Sequence, residues 1–176
     1  MNEIIKKNGI TYGVISGIVS VVIITLLYSI DLSLMLKWWV GVVMIAISIL
    51  ISVTLLSKTK KELKGNFTFK EAFTTYFISS VIGTLIYVWF NIILFNFIDP
   101  EAKETLNGLV LDFTKDIMQK MGAPASETNK ALKELATKDT YSVFVQLKGS
   151  IFSIAFSAII GLILAAIFKT KTPEQL

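Results

Sequence analysis

The chain has 176 residues, of which 53% are hydrophobic, and its formal net charge is +4. This apolar fraction exceeds the roughly 45–50% typical of soluble domains. Because the excess lies in long uninterrupted runs, it indicates an integral membrane protein. All 17 basic residues are Lys, and Cys and His are absent, which excludes disulfides and zinc fingers and argues against nucleic acid as a partner.

Two apolar runs open the chain and predict two membrane spans. The first, residues 10–30, carries no charge, and a helix needs about 20 residues to cross a hydrocarbon core. Lys6 and Lys7 precede it, as in a signal peptide, but the run is long for one and no typical cleavage site follows, so we expect a retained span. The second run, residues 36–56, follows a short loop, which predicts a tight antiparallel hairpin.

A third apolar run, residues 73–98, follows a basic stretch. Thr68 and Glu71 precede this run with the spacing of a capping box, which predicts a helix start there. The last apolar run, residues 149–168, predicts a fourth span.

Asp99 and Pro100 interrupt the chain after the third run, and Asp99 is expected to close one helix and open another. Apolar residues then recur at spacings of three and four, which predicts an amphipathic helix. Its apolar stripe consists of Leu106, Leu109, Val110, Phe113, Ile117 and Met121. A second helix over about residues 126–137 completes a helical hairpin that spans about residues 99–145.

This apolar stripe has three interpretations. It packs on the second hairpin helix, lies on the outer leaflet, or receives a partner protein. Because Leu132 and Leu135 of the second helix offer little apolar surface, part of the stripe is expected to contact the bundle, the lipid or another protein.

The sequence therefore predicts an all-α fold: one integral membrane domain over residues 1–176 with a four-transmembrane-helix bundle and an amphipathic helical hairpin between the third and fourth spans. Nine lysines flank the spans on one side, whereas the hairpin is nearly neutral. The nine are Lys6, Lys7, Lys58, Lys60, Lys61, Lys64, Lys70, Lys169 and Lys171. Because lysines in short loops favour the cytoplasm, both termini are predicted to be cytoplasmic and the hairpin extracytoplasmic.

Small residues recur every four positions in the first and last spans. These two ladders are Gly9, Gly13 and Gly17 in the first span and Gly149, Ser153, Ser157 and Gly161 in the fourth. Small residues let helix backbones approach closely in lipid, so both ladders are predicted helix-packing faces. We expect packing within the chain, with the first helix against the fourth; a dimer or partner interface is the alternative.

No Asp, Glu or Lys falls in the middle of a predicted span, which argues against a proton-driven pump. Asn91 either lines a polar cavity or, as we expect, forms an interhelical hydrogen bond. The remaining polar groups of the spans are small hydroxyls, among them Thr25, Ser48, Ser52, Ser79, Ser80 and Thr84. Asp31 and Asp99 could approach each other at the outer edge, but each has an ordinary loop or capping role. We therefore predict no catalytic residue, no cofactor and no metal site.

Several short motifs together resemble a known family. They are the Lys-Lys start with glycines in the first span, the segment Phe-Lys-Glu-Ala-Phe at 69–73, and the segment Asn-Phe-Ile-Asp-Pro at 96–100. With the helical outer segment and the single closing span, they make the chain similar to the small bacterial membrane proteins grouped as domain of unknown function 4199. The resemblance implies a four-span protein of the bacterial inner membrane, without an established activity, and a link to cell-envelope glycan assembly.

These features predict a non-enzymatic accessory or scaffold subunit of an inner-membrane complex. The expected partners are the lipid bilayer and either another protein or further copies of this chain. The alternative is a small lipid or solute transporter that works as an oligomer, because a four-span monomer offers little room for a pathway.

Overall fold

A computed structural model describes residues 2–170, which form six α-helices. The helices are α1 (Glu3–Ile30), α2 (Trp38–Glu62), α3 (Phe69–Ile93), α4 (Pro100–Lys120), α5 (Ala125–Ala136) and α6 (Val143–Phe168). A 3₁₀ helix, Leu32–Leu36, joins α1 to α2, and a π-helical turn, Leu94–Ile98, extends α3. Lys171, one of the nine lysines used to predict orientation, lies outside the described residues.

Four helices are long and apolar enough to cross a membrane: α1, α2, α3 with its π turn, and α6. The helices α4 and α5 form a helical hairpin between the third and fourth of them. The predicted all-α fold with four spans is therefore confirmed. We call the end of the bundle at which residues 2 and 170 lie the terminal end, and the opposite end the hairpin end.

The helices extend beyond the apolar runs that predicted the spans. The side chain of Asn2 accepts a hydrogen bond from the Ile4 N–H, so α1 begins at Glu3 rather than near residue 10. Ser142 caps α6 in the same way, which moves its start to Val143. Polar caps set the helix boundaries here, whereas hydropathy reports only the part of a helix that lies in lipid.

Both predicted helix starts around α3 and α4 are present. The Thr68 hydroxyl accepts a hydrogen bond from the Glu71 N–H at 3.2 Å, and the Glu71 carboxylate accepts one from the Thr68 N–H at 2.9 Å, which completes the capping box. Asp99 ends the π turn and caps α4 by accepting a hydrogen bond from the Ala102 N–H at 2.9 Å.

Helix α3 is the centre of the bundle, with α1 and α6 both packed along it. The first-span glycines make the contact with α1 close. A methyl group placed on Gly13 would lie 2.8 Å from Ile82 Cβ and 2.9 Å from the Ser79 carbonyl oxygen. A methyl group on Gly17 would lie 2.6 Å from Ile86 Cβ. The α3 side chains therefore occupy the space that these glycines leave open.

The expected packing of the first helix against the fourth is wrong. Within residues 2–170, the extensive contacts of both α1 and α6 are with α3. In α6, Gly161 lies against the ring of Tyr76, whereas Gly149 faces open space and Ser153 is exposed. The groove along the glycine ladder of α1 is filled instead by the isoleucines of α3, at normal packing density.

Hydrogen bonds across the terminal end hold α6 to the loop before α3. The Thr170 N–H donates to the Phe67 carbonyl at 2.7 Å, and the Phe67 N–H donates to the Thr170 hydroxyl at 2.9 Å. Phe67 is fully buried in an apolar cluster that also contains Leu56 of α2 and Leu164 of α6. The terminal ends of α2 and α6 are therefore joined through this loop.

We predict that Gly13→Ala destabilises the protein by about 1–3 kcal/mol, the usual cost of overpacking, because the added methyl meets a backbone oxygen that cannot rotate away. Gly41 lies on α2 with no atom near the position of an added Cβ, so Gly41→Ala is the matched control and is expected to leave stability unchanged or raise it by up to about 1 kcal/mol. Denaturant titration in detergent, followed by circular dichroism, measures both. Equal stability of the two variants would contradict the close α1–α3 contact.

Candidate functional site

A cavity of about 330 Å³ lies inside the bundle, between α1, α2, α3 and α6. Eleven of its 22 lining residues carry a hydroxyl group, and all but one of the others are apolar. The hydroxyl-bearing residues are Ser16, Ser20, Ser48, Ser52, Tyr76, Ser79, Ser80, Thr84, Tyr87, Ser153 and Ser157. We call this space the hydroxyl-lined cavity.

The spacing of the serines explains why four helices contribute to one wall. Residues four apart lie on the same face of a helix. Ser16 and Ser20 share a face of α1, Ser48 and Ser52 share a face of α2, and the pair at 153 and 157 shares a face of α6. Each of these three helices therefore presents a short polar strip to the interior space that α3 also lines.

Several of these hydroxyls donate to their own helices. Ser20 donates to the carbonyl of Ser16 at 2.9 Å, and Ser52 donates to that of Ser48 at 2.8 Å. The hydroxyls of Ser80 and Ser157 lie 2.6 Å apart and link α3 to α6. A serine oxygen that has used its proton in this way still has lone pairs that can accept a hydrogen bond. The cavity wall is therefore rich in acceptors.

Ser79 is the most deeply buried of the serines that line the cavity, at 7% exposed. Its hydroxyl makes no hydrogen bond within residues 2–170, and the same holds for the lining serines 16, 48 and 153. These hydroxyls keep their protons for a polar ligand or water in the cavity.

The cavity opens toward lipid between α2 and α6. These two helices meet at the terminal end, where Leu56 and Leu164 share an apolar cluster. Farther along the bundle, Ile45 of α2 and Phe156 of α6 both line the cavity and are 55% and 64% exposed. Residues that face both the cavity and the outside mark a lateral opening, so the space can be reached from the bilayer.

The lining contains no Lys, Asp or Glu. Its polar groups are neutral hydroxyls, which can donate and accept hydrogen bonds but offer no charge to a ligand and no base to a reaction. The arrangement is suited to holding an uncharged molecule that carries one or a few polar atoms.

Asn91, the polar residue predicted for the third span, is outside this lining. It is buried in α3, and its side-chain amide donates to the carbonyl of Tyr87 at 2.8 Å, within the same helix. The structure thus shows an intrahelical hydrogen bond in place of the expected interhelical one. A side-chain amide can donate a hydrogen bond to the backbone carbonyl four residues earlier in its own helix. The sequence alone does not show whether the amide makes this bond or one to another helix.

In the sequence, most of the cavity hydroxyls look like scattered small polar groups. Their spacing is the sequence feature that could have indicated polar helix faces. Pairs of hydroxyl residues four apart recur at Ser48 and Ser52, at Ser80 and Thr84, and in the fourth-span ladder. Such pairs are common in membrane helices, where they bond to their own backbone. Only the arrangement of the helices shows that they surround one space.

The amphipathic stripe of α4 is divided between two environments. Leu106 is fully buried in a cluster with Leu94 and Phe95 at the end of α3. Leu109 and Val110 are half-buried. The last three stripe residues are exposed, most of all Met121 at 80%; the other two are Phe113 and Ile117.

Asp31 and Asp99 have separate partners. Asp31 accepts hydrogen bonds from the N–H and hydroxyl of Ser33, both at 2.8 Å, and these bonds hold its pKa below the ordinary value. Asp99 accepts a hydrogen bond from the Tyr28 hydroxyl at 2.6 Å, and this bond is the main cause of its lowered pKa. Each carboxylate stabilises a helix junction.

A second polar cluster fastens the hairpin to the bundle. The Lys103 ammonium lies 2.8 Å from the Asp139 carboxylate, which also accepts a hydrogen bond from the Asn107 amide at 3.0 Å. Asn96, in the π turn of α3, donates to the Tyr141 carbonyl at 3.0 Å. The segment between α5 and α6 is thereby bonded both to α4 and to the end of α3.

A family model described as "Protein of unknown function (DUF4199)" matches residues 11–170. The chain belongs to this family. A search of the curated proteins and a search of the solved structures each found no match. Family membership confirms the resemblance seen in the sequence, and it assigns neither an activity nor a ligand.

We predict that acid loosens the hairpin through Asp139. Burial opposes its ionisation, but the hydrogen bonds from Lys103 and Asn107 outweigh burial and lower its pKa. Stability from a carboxylate of lowered pKa is complete above the unfolded-state value of about 3.9 and is lost as pH falls through the folded-state value. The protection factors of the α5 amides, which correct for the pH dependence of intrinsic exchange, should therefore fall below about pH 4.

The matched variants are Asp139→Asn and Asp112→Asn, since Asp112 is exposed on α4. Asp139→Asn should accelerate exchange in α5 already at neutral pH and flatten the acid dependence, although Asp99 titrates in the same direction. Asp112→Asn should behave as wild type. An unchanged acid profile in Asp139→Asn would contradict the assignment.

Proposed function

We propose that this protein is a non-enzymatic membrane protein that binds a lipid or another small amphiphile in the hydroxyl-lined cavity and carries or presents it within the bilayer. The observation that supports this function is the lateral opening of the cavity between α2 and α6. A site that water-soluble molecules were meant to enter would open at one end of the bundle. An opening toward the hydrocarbon region favours a ligand that is already dissolved in the membrane.

The chemistry of the wall supports binding over catalysis. A serine hydroxyl is a weak nucleophile unless a neighbouring base or metal activates it. The lining offers no carboxylate or amine for this purpose. The serine protons that would have to be removed are partly used in bonds to backbone carbonyls, as in Ser20 and Ser52.

Of the two roles predicted from sequence, the cavity favours the carrier, with a lipid as the cargo. The first-span glycines supported the accessory or scaffold role. Helix α3 covers the face of α1 on which they lie, so this face is not available to a partner protein. The accessory role, a protein partner and a link to envelope glycan assembly stay predictions. The exposed end of the α4 stripe, at Phe113 and Ile117, is the surface on which a partner protein would be sought first.

We further propose that the protein lies in the inner membrane of a bacterium with both termini in the cytoplasm. Eight of the nine lysines that support this orientation, all but Lys171, lie at the terminal end of the bundle. Cys is absent from the chain, so Asn66→Cys and Lys115→Cys each introduce one label site, in the α2–α3 loop and on α4. An impermeant maleimide added to intact cells should label position 115 and spare position 66. The reverse pattern would overturn the orientation.

We predict that blocking the mouth of the cavity lowers lipid retention. Ser48 and Ser153 line the cavity and are exposed, so Ser48→Phe with Ser153→Phe fills the opening without disturbing the buried contacts of α3. Protein purified from membranes into nanodiscs of a single synthetic lipid should retain a co-purified native lipid, measured by native mass spectrometry. The double variant should retain it at least about tenfold less, which corresponds to about 1.4 kcal/mol.

The control places the same two aromatic residues on the same helices outside the lining. Thr54 and Ala166 are exposed on α2 and α6 and do not line the cavity, so Thr54→Phe with Ala166→Phe should retain lipid as wild type does. Equal retention by all three proteins, or no retained lipid in any of them, would refute a lipid-binding function.

A further inference from the structure

Resting on the proposed function, we infer that the hydroxyl-lined cavity receives the head of an uncharged lipid that carries a free hydroxyl group, such as a long-chain alcohol or an acylglycerol. The acyl chain or chains leave through the gap between α2 and α6. The absence of charge in the lining, its hydrogen-bonding groups and the cavity volume each favour this class of lipid.

Charge excludes the common phospholipid and fatty-acid heads. Moving an ionised group out of water without a partner costs several kcal/mol. The lining contains no Lys to neutralise a phosphate or carboxylate and no Asp or Glu to pair with an amine. In the four membrane-spanning helices the lysines lie near the helix ends, such as Lys58 at the terminal end of α2 and Lys148 near the start of α6. The interior site therefore favours a neutral head.

The hydrogen-bonding groups of the lining favour a ligand that can donate a hydrogen bond as well as accept one. Ser20, Ser52 and Ser157 have each donated their proton to a backbone carbonyl, at 2.8–2.9 Å, so they face a ligand chiefly as acceptors. Ser79, like the lining serines 16, 48 and 153, makes no such bond within residues 2–170 and can donate or accept. A ligand hydroxyl both donates to the acceptors and accepts from Ser79, whereas an ether or ester oxygen can only accept.

Size and the position of the opening limit the head. The volume of about 330 Å³ is at the lower end of ligand pockets, which range from about 300 to 1,000 Å³. It accommodates a head the size of glycerol with the first part of a chain. At the opening, Ile45 and Phe156 provide an apolar path along which a chain reaches the bilayer.

Competition among matched lipids of one chain length tests this assignment. The probes are a monoacylglycerol, the same molecule with both hydroxyls capped as methyl ethers, and the corresponding lysophosphatidic acid. Binding is measured by native mass spectrometry on the full-length protein in neutral detergent. The monoacylglycerol should bind at least about tenfold more tightly than either competitor.

Two variants connect the preference to the cavity wall. Ser79→Ala removes the most deeply buried serine hydroxyl of the lining and should reduce the preference for the free-hydroxyl lipid about fivefold. Ser153→Ala, at the exposed mouth, should reduce it less and serves if Ser79→Ala does not fold. Ser29→Ala is the control, because Ser29 is an exposed, back-bonded serine of α1 that does not line the cavity.

The outcomes separate this inference from the function on which it rests. If the capped lipid binds as tightly as the free one, or if lysophosphatidic acid binds more tightly, the ligand class is wrong while lipid binding stands. If none of the three lipids binds and no native lipid is retained, both the ligand class and the function fail. Equal lipid preference in wild type, Ser79→Ala and Ser153→Ala would place the head outside the cavity.

Discussion

The close packing of α1 on α3 determines where the other membrane helices can lie. Gly9, Gly13 and Gly17 present backbone to α3, and Ile78, Ile82 and Ile86 fill the resulting groove, with distances that leave no space for even one added methyl group. Lipid supplies no hydrophobic force for helix association, so interlocking contacts of this kind supply much of the stability of the bundle. Because α3 is held by α1 on one face, α6 takes another, and the two outer helices do not pack along each other.

The same arrangement produces the cavity. Helix α2 contacts α1 and α3 but meets α6 mainly at the terminal end, through the cluster around Phe67. The two helices are therefore joined at one end and separated farther along, where their serines face the same space. At the other end of the bundle, Asn96 donates to the Tyr141 carbonyl and Lys103 donates to the Asp139 carboxylate, and these bonds hold the hairpin in place. The space between α2 and α6 is thus bounded by two fastened ends and left open at its side.

Sequence patterns predicted the features that depend on neighbours in the chain. The capping box at Thr68 and the double role of Asp99 follow from local hydrogen bonding, and both are present. The spacing of the first-span glycines indicated a close helix contact, but it does not show which helix makes that contact. In the sequence, the isoleucines of α3 cannot be distinguished from residues that face lipid. The cavity was missed for a related reason. A back-bonded serine such as Ser52 has an ordinary local explanation, and only tertiary packing brings it near Ser153 and Ser157.

Oxidative cross-linking of paired cysteines tests the central position of α3 most directly, since the chain contains no native Cys. The Ser80 and Ser157 hydroxyls lie 2.6 Å apart, so Ser80→Cys with Ser157→Cys should form a disulfide rapidly in membranes. Ser16→Cys with Ser157→Cys joins α1 to α6 and should cross-link poorly, if at all. Efficient cross-linking of the second pair and none of the first would contradict a bundle built around α3.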